Sequence, residues 1–213
     1  MLADPDERNP RAASIRLLAA ATEEFARRGF ANARIRRIAG AADVSPAAAN
    51  YYFGSKKGLY RATLMHLAER LEPLDAEGYA ASGSPCPMHR SVLTMLNRFA
   101  GSADAVPLAK IIAHEVLTPS GQLDSILDDA MGSELSMLRS AVGEVTSDID
   151  SEAQKAAARE ILGKCALCLF AGATVDGSGE ATFEIDADAC EILATQISLL
   201  AVGALKRRRG GPR

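Results

Sequence analysis

Apolar residues recur along this chain at the three- and four-residue spacing of a helix face, and no stretch has a convincing strand pattern. The spacing predicts helices over residues 11–28, 34–42, 46–52, 56–71, 88–100, 106–117, 122–145, 152–173 and 186–206. Breaks rich in glycine, serine or proline separate several of them, as at Gly29, Gly101-Ser102 and Thr118–Gly121. The prediction is an all-α protein of about nine helices.

The predicted helices group into two domains. Residues 1–55 are expected to form a three-helix domain whose core contains Phe53, Phe25, Ile38 and Val44. Residues 56–213 are expected to form a larger helical domain, entered through the amphipathic helix 56–71. The predicted inner stripe of the first helix is Ile15, Leu18, Ala19, Thr22, Phe25 and Ala26.

The stretch 33–60 carries the most specific pattern in the chain. Two short helices are separated by Asp43–Pro46, where Ser45 suits an N-cap and Pro46 suits the first helical position. The second helix exposes small residues, one amide and two phenols, which is typical of a helix that enters a DNA groove. Three residues are expected to face the major groove: Ser45, Ala47 and Asn50.

A second set of side chains is predicted to contact the DNA backbone, namely Arg34, Arg36, Tyr51 and Lys56. Lys56 follows Ser55 at the start of the next helix, where backbone N–H groups also favour a phosphate. Tyr52 has two open roles, a phosphate contact or packing. The expected specific contact is Asn50, because an Asn side chain can form two hydrogen bonds with adenine.

This stretch resembles the helix-turn-helix of the TetR/AcrR family of transcriptional regulators. The matching residues are Ile38-Ala39, Ala42, Val44-Ser45, Tyr52-Phe53, Ser55-Lys56 and Leu59-Tyr60. The sequence departs from the family pattern at Asp43, where Gly is usual, at Asn50, where Tyr is frequent, and at Tyr52, where His is frequent. Asp tolerates the left-handed backbone conformation that such a turn requires.

Charge is divided unevenly along the chain, although the total is only −3. Residues 1–70 hold 12 Lys+Arg against 7 Asp+Glu, and residues 71–213 hold 12 against 20. A basic first third that coincides with the helix-turn-helix indicates a polyanion at that end. The sequence shows no signal-peptide pattern and no apolar run of membrane-spanning length, so a cytoplasmic protein without membrane contact is expected.

The resemblance implies a body that holds a small-molecule pocket and a two-helix dimer face. The last two helices have wide apolar faces rich in Ala, which suits a four-helix bundle between two copies; the alternative is monomer core. Residues 110–120 also resemble an effector-domain signature of one TetR-like subfamily. The candidate pocket residues are His66, Met95, Phe99, Ile112, His114, Met131, Leu135 and Leu138, with plain core packing as the alternative.

Other chemistry is not favoured by the sequence. Cys165 and Cys168 form a C-x-x-C on a helix, which indicates either buried small hydrophobes or a metal or redox site, and the first is the better interpretation. The Arg207–Arg209 run is either a solvated tail or a nucleic-acid contact. No phosphate loop, nucleophile elbow or dinucleotide fingerprint is present, so neither an enzyme nor a cofactor is expected.

The sequence therefore predicts a ligand-responsive transcriptional repressor. Two copies would bind a palindromic operator in double-stranded DNA, and a small-molecule effector would release them. Two alternatives remain: a DNA-binding regulator without a small-molecule ligand, and a helical interaction module that does not bind DNA.

Overall fold

The computed structural model describes residues 10–71, 84–100, 102, 104–146, 148–172, 174–175, 181–182 and 186–209. These residues form helices α1 (Pro10–Asn32), α2 (Ile35–Ala41), α3 (Pro46–Phe53), α4 (Lys56–Glu69), α5 (Pro87–Ala100), α6 (Ala105–Leu117), α7 (Leu123–Ala130), α8 (Gly132–Val145), α9 (Ser151–Gly172) and α10 (Ala187–Arg209). Two short strands, β1 (Thr174–Val175) and β2 (Ala181–Thr182), pair antiparallel between α9 and α10. Positions 1–9 and 72–83, and positions 210–213 that follow the Arg207–Arg209 run, lie outside the described residues.

The all-α prediction is confirmed, with two corrections to its elements. The predicted helix 122–145 is two helices, because Met131 leaves the helical conformation at φ −132° and ψ 36°. The Met131 side chain is fully buried in the core, and Gly132 begins the next helix. The second correction is the β1–β2 pair, which lies between the predicted helices 152–173 and 186–206.

The inner face of α1 differs from the predicted stripe. The buried apolar residues are Ala13, Leu17, Ala20, Ala21 and Phe25, whereas Ile15 is 56% exposed. Apolar residues surround much of this helix, so their spacing alone did not select one face. The buried face also contains a carboxylate, Glu24, which a purely apolar criterion passes over.

The core of the amino-terminal domain continues into α4. Phe25 and Ile38 are fully buried, and the predicted partners Val44 and Phe53 pack against them while remaining partly exposed. Tyr60 of α4 joins the same core, with its ring 4.8 Å from that of Phe25 in an edge-to-face arrangement. Helix α4 also packs against α6 and α7, so it connects the amino-terminal domain to the body.

The body consists of α5 to α10 around a continuous apolar core. Helix α10 packs on α5, and α9 packs on α6 and α8. A buried ion pair between Arg98 and Glu134 joins α5 to α8. Among the described residues, α10 is also long and apolar enough by length and composition to cross a membrane, although a third of the relevant window (33%) is buried in the protein.

Candidate nucleic-acid interface

The turn between α2 and α3 is built from local hydrogen bonds. Asp43 adopts φ 54°, the left-handed conformation expected at this position. The N–H of Val44 donates to the carbonyl of Ala39 at 3.0 Å, which closes the turn. The Ser45 hydroxyl then accepts the N–H of Ala48 at 3.0 Å, and Pro46 opens the helix. The predicted cap and turn are therefore confirmed.

The turn between α3 and α4 requires two glycines. Gly54 has φ 71°, which side-chain-bearing residues rarely adopt. Ser55 caps α4 by accepting the N–H of Gly58 at 3.0 Å. A Cβ at Gly58 would lie 2.1 Å from the carbonyl oxygen of Phe53, so the first turn of α4 can touch the end of α3 only because residue 58 has no side chain. This contact fixes the direction of α3.

Most of the predicted DNA-binding residues point to solvent. Exposed positions are Arg34, Arg36, Ser45, Ala47, Asn50 and Tyr51, and the Tyr51 side chain is 85% exposed. Ala49 on the opposite side of α3 is buried and attaches the helix to the core. Tyr52 is half-buried and packs against that core, with its ring 5.5 Å from the Tyr51 ring. Helix α3 thus presents Ala47, Asn50 and Tyr51 on one outward face.

The Lys56 side chain, which was predicted to contact the DNA backbone, is already bound to other residues of the protein. Its Nζ donates to the carbonyl of Ala31 at 3.2 Å and lies 4.7 Å from the centre of the Phe30 ring. Burial lowers the pKa of Lys56, and the negative charge of Glu24 opposes that shift. Lys56 therefore already links α4 to the end of α1, and a phosphate contact would have to be made from this position.

Glu24 organises the basic end of α1. Its carboxylate accepts hydrogen bonds from the Arg27 guanidinium at 3.2 Å and from the backbone N–H of Arg34, the residue before α2, at 3.3 Å. Arg28 and Arg37 lie 3.3 and 3.7 Å from the same carboxylate. Burial of Glu24 raises its pKa, but these hydrogen bonds and positive charges outweigh that cost, so the pKa is lowered overall. The sequence prediction missed this cluster.

A second buried carboxylate joins α4 to α6. Glu115 accepts a hydrogen bond from the Tyr60 hydroxyl at 3.3 Å, from the Ser120 N–H at 2.9 Å and from the Ser120 hydroxyl at 2.7 Å. Burial, with the charge and hydrogen bond of Glu115, raises the pKa of Tyr60, so the phenol stays protonated and donates. The contact connects the amino-terminal core directly to the body.

His114 lies at the same junction. Its Nε2 is 3.1 Å from the carbonyl oxygen of Ala26 on α1, which fits an N–H donor on that nitrogen. A Cβ at Gly29 would lie only 3.2 Å from the His114 ring, so this glycine permits the close approach of α1 and α6. His114 was predicted to bind a ligand, and here it packs between the two domains.

Among the residues that the structure describes, three clefts of appreciable size lie near this junction. One of about 450 Å³ is formed by Arg27–Asn32, Arg34 and Arg37 on one side and by His114, Glu115 and Thr118 on the other. A second, of about 670 Å³, lies between α1 and α6 and includes Leu117. A third, of about 310 Å³, lies between α6 and α9 and includes Ile112.

The predicted ligand-binding residues are not gathered around one of these clefts. Ile112 borders one cleft, and His114 borders two. Five others are buried in the common core: Met95, Phe99, Met131, Leu135 and Leu138. His66 is half-buried on α4. Within the described part of the chain, no group of three or more His, Cys, Asp or Glu side chains is placed to hold a metal ion, and Cys165 is fully buried.

The last helix has an uncovered apolar face. Ile192, Leu199 and Leu200 are 58%, 68% and 63% exposed on α10. Their spacing places them along one side of the helix. Gln196, between Ile192 and Leu199, and Gly203, after Leu200, lie on the same side. A shallow groove between α9 and α10 is lined by Ala157, Ile161, Ala201, Ala204 and Leu205, with Glu160 and Lys164 at α9.

Comparisons with known proteins agree with this geometry. The family model described as bacterial regulatory proteins, tetR family, matches residues 17–63. The HTH-type transcriptional dual regulator CecR of Shigella flexneri is 33% identical over 115 residues, which cover 49% of this chain and 51% of that protein. The match therefore spans about half the length of that curated relative.

Solved structures of similar fold cover nearly the whole chain. HlyIIR, a hemolysin II transcriptional regulator, has a TM-score of 0.56 at 19% identity, over 89% of this chain and 99% of that one. A putative TetR-family transcriptional regulator from Rhodococcus sp. has a TM-score of 0.52 at 18% identity, over 89% and 98%. At such identities these two structures indicate the fold alone. The amino-terminal helix-turn-helix therefore matches the tetR family of bacterial regulatory proteins, and the chain as a whole has the fold of these two solved regulators.

Proposed function

We propose that this protein is a transcriptional repressor that binds a palindromic DNA operator as a homodimer and is released by a small molecule. The observation that carries the proposal is the outward face of α3, where Ala47, Asn50 and Tyr51 are exposed at the end of the chain that carries the positive charge. Ala47 permits close approach to a major groove, and Asn50 supplies paired hydrogen bonds for an adenine. The arginines at the start of α2 supply phosphate contacts.

DNA binding is tested by titrating the full-length protein with DNA from its own upstream region at several salt concentrations. The affinity should fall steeply with salt, because each phosphate contact releases counterions. Asn50→Ala should reduce discrimination at one base pair by about 1–3 kcal/mol. Asn97→Ala, an exposed Asn on α5, is the matched control and should leave it unchanged. A salt slope near zero would refute DNA binding, and an unchanged base preference in Asn50→Ala would refute its assigned role.

The dimer is proposed to form through α9 and α10. Three large aliphatic side chains on one side of α10 are more than half exposed, and such a face is stabilised when a second copy covers it. Small residues along the α9–α10 groove allow helices of two copies to approach closely and form a four-helix bundle. A dimer contact through these side chains would also explain why α10 is so apolar without a membrane around it.

The oligomeric state is measured by light scattering or sedimentation. Leu199→Glu should convert the dimer to a monomer, because it places a charge in the apolar face. Leu117→Glu on α6 replaces a leucine of nearly equal exposure, 69% against 68%, and should remain dimeric. Dimers of unchanged stability in Leu199→Glu would exclude this face.

Ligand response is proposed to act through α4. This helix contacts α3 at Gly58 and the body at Tyr60 and Arg61, where Arg61 pairs with Asp129 of α7 at 2.8 Å. A ligand that binds one arrangement of the body more tightly would shift α4 and change the separation of the two DNA-binding domains. A thermal-shift screen of small molecules should find one that raises the unfolding midpoint and weakens DNA binding together. A molecule that stabilises the body without affecting DNA binding would argue against coupling through α4.

A further inference from the structure

The cleft of about 450 Å³ between the amino-terminal domain and the body is unusually rich in arginine. Arg27, Arg28, Arg34 and Arg37 line its amino-terminal wall, and the end of α6 forms the opposite wall. Its volume lies within the range of small-molecule sites, roughly 300–1,000 Å³. A site of this size with several guanidinium groups is suited to an anion.

The arginines are not neutralised by the carboxylates around them. Arg27, Arg28 and Arg37 share one carboxylate, that of Glu24, which is itself almost fully buried behind them. Within the described residues the Arg34 guanidinium has no ion-pair partner. Each guanidinium has five N–H donors, so donors remain for a ligand.

The remaining carboxylate of the cleft, Glu115, does not cancel this charge. Its oxygens accept hydrogen bonds from the Tyr60 hydroxyl and from the N–H and hydroxyl of Ser120. Four guanidinium groups thus face two carboxylates that are already hydrogen-bonded. The cleft therefore has a net positive charge, and its guanidinium groups have more N–H donors than the protein's own acceptors use.

We propose that this cleft binds a small free anion with two or more phosphate or carboxylate oxygens, held by Arg27, Arg34 and Arg37. DNA phosphates offer the same chemistry, but the end of α6 closes one side of the cleft with His114 and Thr118. That wall favours a small molecule over the backbone of a duplex. The bound anion would contact both the amino-terminal domain and the body, because residues of both line the cleft.

The test uses the full-length protein without DNA and inorganic pyrophosphate as the probe. Calorimetric titrations are made at constant ionic strength in a magnesium-free buffer. Saturable binding of one pyrophosphate per chain is expected. Arg27→Gln and Arg34→Gln should each weaken it on the order of tenfold, because each removes a charge-assisted hydrogen bond. Arg11→Gln removes an exposed arginine of α1 outside the cleft and should bind as the wild type does.

Two further measurements separate the competing explanations. Thermal unfolding without probe checks that each variant folds, and Arg27, whose side chain is 67% exposed, is the safest substitution. Binding of a non-specific duplex by Arg27→Gln distinguishes the two phosphate sources. If Arg27→Gln loses pyrophosphate binding while its affinity for the duplex is unchanged, the result supports the proposal. Three results would overturn it: no saturable binding by the wild type, equal weakening in Arg11→Gln, or an equal loss of pyrophosphate and duplex binding in Arg27→Gln.

Because no DNA is needed for the titration, failure of this site would leave the proposed function untouched. Conversely, absence of DNA binding would not affect the pyrophosphate result.

Discussion

Gly58 offers a direct test of how α3 is positioned. In an ordinary helix, replacing Gly with Ala stabilises the protein by roughly 0.5–1 kcal/mol, because Gly loses more backbone entropy on folding. At Gly58 the added Cβ would lie 2.1 Å from the Phe53 carbonyl oxygen, where ordinary contact begins at 3.4 Å. Rotating a side chain cannot relieve a clash with backbone, so the α3–α4 turn must open by more than about 1 Å.

The expected cost of that opening exceeds the entropic gain. Forced overpacking costs about 1–3 kcal/mol, so Gly58→Ala should be less stable than the wild type by about 1–2 kcal/mol. Gly40→Ala in α2 is the matched control, because its Cβ would have no neighbour within 4 Å. That variant should gain stability by roughly 0.5–1 kcal/mol.

Urea unfolding at one fixed protein concentration measures both variants, since a dimer's apparent stability depends on concentration. The two substitutions should change the midpoint in opposite directions. Gly58→Ala should also weaken operator binding more than its stability loss explains, because α3 changes direction. If Gly58→Ala were as stable as Gly40→Ala, the contact between α4 and the end of α3 would not exist as described.

Three further predictions concern buried polar groups. Glu24→Gln should cost about 1–2 kcal/mol at pH 7, a figure kept low because the paired arginines are 38–67% exposed. Because the pKa of Glu24 is lowered from its ordinary value of 4.5, its stabilisation is fully present above that value. It is lost as pH falls further, through the lowered pKa of the folded protein, so the urea midpoints of the two proteins should converge at low pH. Tyr60→Phe should lower the free energy of unfolding by only about 1 kcal/mol, since Glu115 keeps both hydrogen bonds from Ser120. Glu115→Ala should lower it by about 3 kcal/mol. Equal losses of stability in the two variants would contradict this network. Burial raises the pKa of Cys165 to about 12, so iodoacetamide at pH 8 should label this thiol only after the protein unfolds. Mass spectrometry of the peptides measures the labelling. Rapid labelling of Cys165 in the native protein would refute its burial.

Local signals predicted the local structure well. Ser45 caps its helix as expected, and Asp43 takes the left-handed conformation that its position in the turn requires. These features depend on neighbours within four residues, so the sequence itself contains the partners. The outward position of Asn50 is similarly fixed by the short helix between Pro46 and Phe53.

The break at Met131 and the face of α1 were harder to predict. Gly132 was a visible signal for the break, but the apolar spacing continued across it. The turn there accompanies ion pairs of α7 with two distant helices, Asp128 with Arg159 and Asp129 with Arg61. Such partners are far apart in sequence and near only in the fold, so no local pattern indicates them.

The sequence alone therefore determined most of the helices, the cap at Ser45, the helix-turn-helix motif and the division of charge between the two ends of the chain. The tertiary structure decided which residues share the junction between the domains: Glu24 with its arginines, Glu115 with Tyr60 and Ser120, and His114 against Gly29. It also placed the candidate pocket residues Met95, Phe99, Met131 and Leu135 in the apolar core, where their ligand-binding role stays a prediction, and it formed an arginine-lined cleft elsewhere. The physical reason is range: caps and turns are stabilised within one helical turn, whereas buried charges and clefts depend on how whole helices pack.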